Sequence, residues 1–404
     1  MAGKEPRKIK YVVLLGDGMA DRPLRELDGR TPLQVARTPN MDRLARGGEI
    51  GLVKTVPDGF SPGSDVANLA VLGYSPVRYF TGRAPLEAAS MGVTIQASDV
   101  AFRCNLVTLE EERMIDFSAG HITTREAKEL IDAVHRELSD EQVSFYPGVS
   151  YRHLMVWRKG KNKMVCTPPH DITGMKIREY LPSKQGSEFL RDLMLRSRAV
   201  LLNHPVNRER IRQGKRPGNS IWLWGQGRRP LLPTFRDLYG LEGAVISAVD
   251  LIKGIGIYAG LVPIPVPGAT GFFDTNYHGK ALAALDALSG KDFVYVHVEA
   301  ADEAGHIGDI REKIRAIENF DEKVVGFILK GLEEFEVYRI LLLPDHPTPI
   351  ELKTHSADMS PYVIYDNRNV RNSCRVFDEE EARRSGVVLE EGHKMMDRFI
   401  RNPS

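Results

Sequence analysis

The sequence predicts an α/β protein in which a mostly parallel sheet flanked by helices is interrupted by a smaller α+β segment. Three observations carry that prediction. Short apolar runs end in polar or glycine-rich turns: "YVVLLGDG" at 11–18, "FVYVHVEAAD" at 293–302 and "YRILLLPDH" at 338–346. Their unbroken Val, Leu and Ile character suits strands covered on both faces. Between the last two runs lies "DIREKIRAIENFDEKVVGFILKGLEEF", whose Ile310, Ile314, Ile317, Val324, Phe327, Ile328 and Leu332 recur at helical spacing. Strand, helix, strand is the unit of a parallel sheet. Finally, residues 101–220 change character, which divides the chain into a discontinuous domain, 1–100 with 221–404, and an insert.

Taken in order, the first run begins at Tyr11. Basic residues precede it as in a signal peptide, but Tyr11 to Leu15 is too short for the apolar core of one. No stretch approaches the ~20 apolar residues that a membrane span needs. "TPNMDRLARGG" reads as a helix capped by Thr38, with Pro39 in its first turn and glycines closing it. "FSPGSDVANLAVLGY" puts Ser64 after a Pro-Gly turn at the start of another helix. In the insert, the charged helix "TTREAKELIDAVHREL" alternates with strands such as "SYRHLMVW", punctuated by "TPPHDITG" and "GKRPGNS". Late in the chain, "DEEEARR" reads as a solvated charged turn or helix.

Size and charge narrow the possibilities. A chain of 404 residues exceeds what one core usually serves, which again favours two domains. Lys and Arg total 55 against 54 Asp and Glu, so no bulk charge points to nucleic acid or to an anionic membrane. Cys104, Cys166 and Cys374 are odd in number and far apart, which fits a reduced, cytoplasmic setting better than a disulfide framework.

Sites in open α/β sheets form at the carboxyl ends of strands. Three predicted strands deliver an aspartate there: Asp17, Asp302 and Asp345. His306 follows Asp302 by one helical turn, His346 adjoins Asp345, and His355 follows in "LKTHSAD". Carboxylates and imidazoles converging from separate segments make a donor set for two divalent cations, and the mixed oxygen and nitrogen donors suit manganese, magnesium or zinc. Each aspartate alone could equally cap a helix or close a turn. His297, inside its apolar run, reads as a strand histidine packed near the site and not as a ligand. A helix N-terminus supports negative charge on Ser64, and a coordinated cation lowers a hydroxyl's pKa, so Ser64 is a candidate nucleophile. Serine is also a preferred helix cap, and that reading stands beside the catalytic one.

The motifs "LLGDGMADRP", "TPNMDRLA", "PGSDVANLAVLGY", "TGRAPLEA", "GATGFFDTNYHGK", "EAADEAGH" and "LPDHPTP" with "KTHSAD" occur together in this order. They resemble the cofactor-independent phosphoglycerate mutases, most nearly the archaeal type, in the alkaline phosphatase superfamily. The resemblance runs from Tyr11 to "EEGHKMMDRF" near the carboxyl end. It implies an alkaline-phosphatase-like two-metal domain with an inserted substrate-binding lid. It assigns Asp302, His306 and His355 to one metal, and Asp17, Asp345, His346 and Ser64 to the other, with Ser64 as the phosphorylated nucleophile. The implied metal is manganese, with magnesium, cobalt or zinc as alternatives, and no 2,3-bisphosphoglycerate is needed. The implied reaction interconverts 3-phosphoglycerate and 2-phosphoglycerate while the lid excludes water from the phosphoserine. Substrate contacts are expected from Arg83, Arg152, His153, His170, Asp171 and Lys280, with His121 as a further contact. The only partner expected is a small phosphorylated metabolite.

The insert motifs "YPGVSYRHLMVW" and "NSIWLWGQG" look more like a bacterial subgroup that includes homoserine kinase-like phosphotransferases. That substrate class therefore stays open as an alternative, although no GxxxxGK[ST] phosphate loop is present. A non-catalytic metabolite-binding protein is the remaining alternative, and it gives Ser64 no purpose.

Overall fold

The computed structural model describes residues 9–373 and 375–401, so Cys374 lies outside the described residues. The chain divides into two compact units, one formed by Thr81–Pro230 and the other by the segments on either side of it.

The first unit is built on an eight-stranded sheet. From one edge its strands are Val388–Leu389, Glu49–Val53, Ser360–Asp366, Tyr338–Leu343, Lys10–Gly16, Phe293–Val298, Gly243–Ile246 and Val262–Pro263. The strands from Tyr338–Leu343 to Val262–Pro263 run parallel, and Ser360–Asp366 is antiparallel to both of its neighbours. Leu15 sits opposite both His297 and Leu343. The three central strands therefore end level, and the loops that follow them emerge side by side. Val12, Leu14, Val294, Val296, Ile340 and Leu342 share a buried cluster with Leu44, Ile317, Phe320 and Ile328 from covering helices. This is why the strands read as continuous apolar runs.

The long helix expected after residue 309 is three pieces: an α-helix Ile310–Phe320, a π-helical turn Asp321–Gly326 and an α-helix Phe327–Leu332. The π-turn carries Asp321, whose carboxylate accepts from the backbone N–H of Met41 at 2.7 Å and of Asn40 at 3.3 Å. That corrects the expected cap. Thr38 precedes the helix Pro39–Gly47 but caps nothing with its side chain, and the free amides of the first turn are satisfied from across the fold.

A second correction concerns "DEEEARR". Its helix, Glu379–Arg384, is charged as expected, but Glu379 is only 7% exposed. The Glu379 carboxyl accepts from Asp21 N at 3.0 Å and from the Thr31 hydroxyl at 2.7 Å, so it is an internal tie and not a solvated charge.

The second unit is an antiparallel sheet in which the long strand Val100–Glu110 pairs with Arg113–Asp116, Arg152–Trp157 and Ser220–Gly227, while Val143–Tyr146 extends it beyond Arg152–Trp157. Helices Thr124–Leu138 and Ser187–Leu202 pack Leu130, Ile131, Leu190 and Leu193 against its core. This unit is wider than the 101–220 expected. A boundary at 220 would cut away all but the first residue of Ser220–Gly227, whose Trp222 lies opposite Asn105. The helix Ala84–Ser90 also belongs here, since Ala84 and Ala88 pack with Ala101, Leu154 and Val156. The unit's entry and exit passages touch at Gly82, where φ is +130° and a Cβ would stand 2.1 Å from the Gln226 carbonyl oxygen. Only glycine fits there. Among the described residues, no helix is long and apolar enough to cross a membrane.

Candidate active site

The level strand ends bring the predicted donors together. Among the described residues, ligand atoms of Asp302, His346 and His355 lie within 4.8 Å of one another, as do those of Asp17, Asp345 and His346, and those of Asp17, Glu299 and Asp302. Asp17 directly follows its strand, Asp345 follows one residue beyond its own, and Asp302 sits in the first turn of the helix Ala300–Ile307. That helix carries His306 one turn on, with Nε2 3.3 Å from Asp302 Oδ2 and 2.9 Å from His355 Nε2. His355 Nε2 also stands 3.4 Å from Asp302 Oδ1. The sequence spacing of Asp302 and His306 thus does place both on one helical face.

Ser64 is the first residue of the helix Ser64–Val71, and the cap position belongs to Gly63. The Ser64 side chain caps no backbone amide; its Oγ lies 3.2 Å from His346 Nε2 and donates to Asp17 Oδ2 at 3.5 Å. This removes the capping reading of the serine, because a capping hydroxyl would turn back to its own helix. Asn68, one turn later, ties that helix to the site: its amide donates to Asp345 Oδ2 at 2.7 Å and to the Ser64 carbonyl at 2.8 Å. The Tyr295 hydroxyl fixes the orientation of Asn68 by donating to its Oδ1 at 2.6 Å.

The electrostatics of this cluster call for positive charge. Burial, followed by the neighbouring carboxylates of Asp345 and Asp302, pushes the Asp17 carboxyl well above its ordinary value. Burial pushes Asp302 up too, but hydrogen bonds from His306 and His355 outweigh it and hold that carboxyl well below. In return, Asp302 raises His306 to about 9. Asp17 Oδ1 is fully buried and makes no hydrogen bond. A buried, unpartnered carboxylate oxygen is costly in an apo chain and is what a cation would coordinate. The donor set fits divalent cations.

His297 is a neighbour of the ligand groups and stands in none of them. Its Nε2 donates to Asp17 Oδ2 at 3.0 Å, its Nδ1 accepts from the Ser247 hydroxyl at 3.3 Å, and burial lowers its pKa to about 3. Lys280 is fully buried, and its amine donates to the His297 carbonyl at 3.1 Å. Burial lowers its pKa to about 8. Sequence reasoning missed Glu299, Asn68 and Thr348. Glu299 had a signal, since it follows its strand directly, whereas an asparagine inside a helix and a threonine in a loop have none.

The second unit holds a separate cationic cluster. Glu87 stands between two arginines, 2.9 Å from Arg103 Nε and 3.7 Å from Arg83 Nε. The closer pair is an ion pair without a straight hydrogen bond. The Arg103 guanidinium lies over the Trp224 ring at 4.3 Å, and burial lowers its pKa to about 10. His170 packs edge-on against the same tryptophan, 5.3 Å from the Trp224 ring centre, with Asp171 Oδ1 3.5 Å from its Nε2. Arg152 is exposed beside Tyr151. His153, in contrast, is 2% exposed and accepts from Gly148 N at 3.0 Å, so it braces a turn of the sheet and presents no contact at the surface. His121 lies exposed on a turn with φ +48°. Arg103 and Glu87 were missed, although a lone arginine inside the apolar strand "VAFRCNLV" is a signal in itself.

Known proteins share this architecture. A family model described as 2,3-bisphosphoglycerate-independent phosphoglycerate mutase matches residues 45–207. The Methanosarcina barkeri protein named 2,3-bisphosphoglycerate-independent phosphoglycerate mutase is 55% identical over 384 residues, 94% of this chain and 96% of that one. The solved structure of a Pyrococcus horikoshii protein superposes with a TM-score of 0.83 at 30% identity, covering 99% of each chain. The cofactor-independent phosphoglycerate mutase of Thermoplasma acidophilum gives 0.66 at 27% identity over 98% of this chain and 99% of its own. With likeness of this order extending over nearly the whole length, the chain belongs to the 2,3-bisphosphoglycerate-independent phosphoglycerate mutase family.

Proposed function

We propose that the chain interconverts 3-phosphoglycerate and 2-phosphoglycerate, passing the phosphoryl group through Ser64 without a bisphosphoglycerate primer. The observation that carries this reading is the Ser64 hydroxyl, turned away from its helix and set 3.2 Å from His346 Nε2 beside Asp17. The names of the near-identical-length relatives support the substrate.

Asp302, His306 and His355 would hold one divalent cation and Asp17, Asp345 and His346 the other. Manganese suits the mixed donors, and such ions supply charge that neutralises a phosphate and lowers the serine hydroxyl's pKa. The residues of the chain do the rest. Ser64 Oγ attacks phosphorus in line, forming one P–O bond as the bond to the glycerate C3 oxygen breaks, and the serine proton ends on that oxygen as the C3 hydroxyl. The positive end of the dipole of helix Ser64–Val71 favours the added negative charge. Asn68 holds the helix against Asp345, which keeps Ser64 in position. The glycerate C2 oxygen then takes the phosphoryl group as the Ser64 O–P bond breaks, and the C2 hydroxyl proton restores the serine hydroxyl. Arg83, Arg152 and His170 in the second unit are suited to an anionic group of the substrate, because Arg recognises carboxylate and phosphate through paired donors. The Lys280 amine is committed to the His297 carbonyl, so we read Lys280 as bracing the strand end and not as a phosphate ligand. Free thiols at Cys104 and Cys166 suit a cytoplasmic setting.

The test is a manganese-supplemented assay with 3-phosphoglycerate free of bisphosphoglycerate, with 2-phosphoglycerate followed by enolase coupling. Chelator-sensitive turnover is expected. No turnover in protein shown to carry its metal would overturn the reading.

A further inference from the structure

Thr348 carries no charge and follows the Asp345-His346 pair by two residues, yet its side chain lies where the two donor groups meet. Its hydroxyl donates to Asp302 Oδ1. On its other side, the same Oγ lies 3.3 Å from His346 Nδ1. The single hydroxyl proton must point at Asp302, because a carboxylate oxygen can only accept. The lone pair that remains faces His346, so Nδ1 is the nitrogen of that ring that carries hydrogen. His346 Nε2 is thereby left bare, and it faces Ser64 Oγ at 3.2 Å, Asp345 Oδ2 at 3.5 Å and Asp17 Oδ1 at 3.6 Å.

The fold holds this threonine from every side. Thr348 is wholly buried, its N–H donates to the Ala20 carbonyl at 3.2 Å, and its carbonyl accepts from Lys313 Nζ at 2.8 Å. Lys313 is itself fixed by Asp21 Oδ2 at 2.7 Å. Two glycines are cut to its outline. A Cβ on Gly18, where φ is +63°, would stand 2.7 Å from Thr348 Oγ, and one on Gly305 would stand 2.5 Å from its carbonyl oxygen.

We propose that Thr348 is a positioning residue that couples the two cation sites, its one hydroxyl orienting Asp302 in the first and setting the ring tautomer of His346 in the second. The inference rests on the proposed function only in that divalent cations fill these groups. Partners that orient ligands from behind in this way typically change metal affinity by about 10–100-fold when removed.

The experiment is a calorimetric titration of the chelated full chain with Mn²⁺, for wild type, Thr348→Val and Thr348→Ser. Wild type should take up two ions. The valine variant, which keeps the shape and loses the hydroxyl, should bind both ions about 10–100-fold more weakly, and the serine variant should bind as wild type does. Unchanged affinities in the valine variant, weakening confined to one ion, or a serine variant as weak as the valine would each overturn the proposal. Should the valine variant fail to melt cooperatively, the ¹⁵N histidine spectrum of chelated wild type answers instead, and a His346 protonated on Nε2 overturns it. Because the readout is binding, the two readings fail separately. Coupled Mn²⁺ uptake with no mutase turnover leaves this inference standing and removes the proposed function. Full turnover with an indifferent valine variant does the reverse, and a wild type that takes up no Mn²⁺ overturns both.

Discussion

His297 donates to one oxygen of Asp17 across 3.0 Å and leaves the other, Oδ1, without a hydrogen bond. Ser247 occupies the far nitrogen of the ring, so His297 acts as a brace that aims Asp17. In His297→Leu the carboxylate loses that brace. Mn²⁺ should then bind to the Asp17 group about 10–100-fold more weakly, measured by competition with a chelating dye. An unchanged dissociation constant would show that Asp17 is aimed by something else.

Ser64→Ala removes the one protein atom to which the proposed reaction forms a bond. Transfer should drop by several kcal/mol in transition-state stabilisation, on the order of other removed nucleophiles, while Mn²⁺ uptake and melting stay near wild type. Intact mass after incubation with 3-phosphoglycerate supplies the check. A phosphoryl adduct on the Ser64→Ala protein, or near-wild-type turnover by it, contradicts the phosphoserine route.

Glu87 is the counter-charge of an almost buried arginine, with side-chain exposures of 15% for Glu87 and 9% for Arg103. Glu87→Ala leaves the Arg103 guanidinium in a low-dielectric setting without its carboxylate, stacked on the Trp224 face. Removing one partner of a buried pair costs about 3–5 kcal/mol. The second unit of this variant should therefore melt well before that of wild type in calorimetry, and a melt within about a degree of wild type would show that solvent reaches Arg103.

Burial raises the Glu379 carboxyl from 4.5 to about 7. Between those values the unfolded chain has released this proton and the folded chain keeps it, so the folded state binds more protons and stability falls as pH rises. The contribution is fully present below about 4.5 and is lost as pH passes through about 7. Its size is about 3–4 kcal/mol, from about 1.4 kcal/mol per pH unit. Glu379→Gln should flatten this part of the stability profile, measured by denaturant unfolding in chelator. A variant whose slope over that window matches wild type would place the proton elsewhere.

Reading the sequence went furthest where chemistry and periodicity coincide. Asp17, Asp302 and Asp345 could be found because each ends an apolar run, and parallel pairing of those runs makes their ends converge. The expected cap at Thr38 failed for the opposite reason. Local spacing favours a threonine before Pro39, but the amides it would satisfy are taken by Asp321, which a π-turn carries in from 280 residues further along the chain. The boundary placed at residue 220 failed in the same way. The tryptophan-rich strand after it belongs to the sheet that starts at Val100, and no local pattern records which strand a strand will pair with. Thr348 and Asn68 were invisible because their importance lies wholly in what they touch.

The order of the strands has a consequence for synthesis on the ribosome. Lys10–Gly16 emerges first, yet it pairs only with Phe293–Val298 and Tyr338–Leu343. The helix Pro39–Gly47 likewise waits for Asp321. The second unit, drawn from one continuous stretch, can close as soon as Pro230 is clear of the exit tunnel. Domains fold as units during translation, and contacts distant in sequence form late. A nascent chain therefore carries its finished insert while the founding strand of its main sheet still has an unpaired apolar edge, and that interval is when a chaperone would find the most to bind.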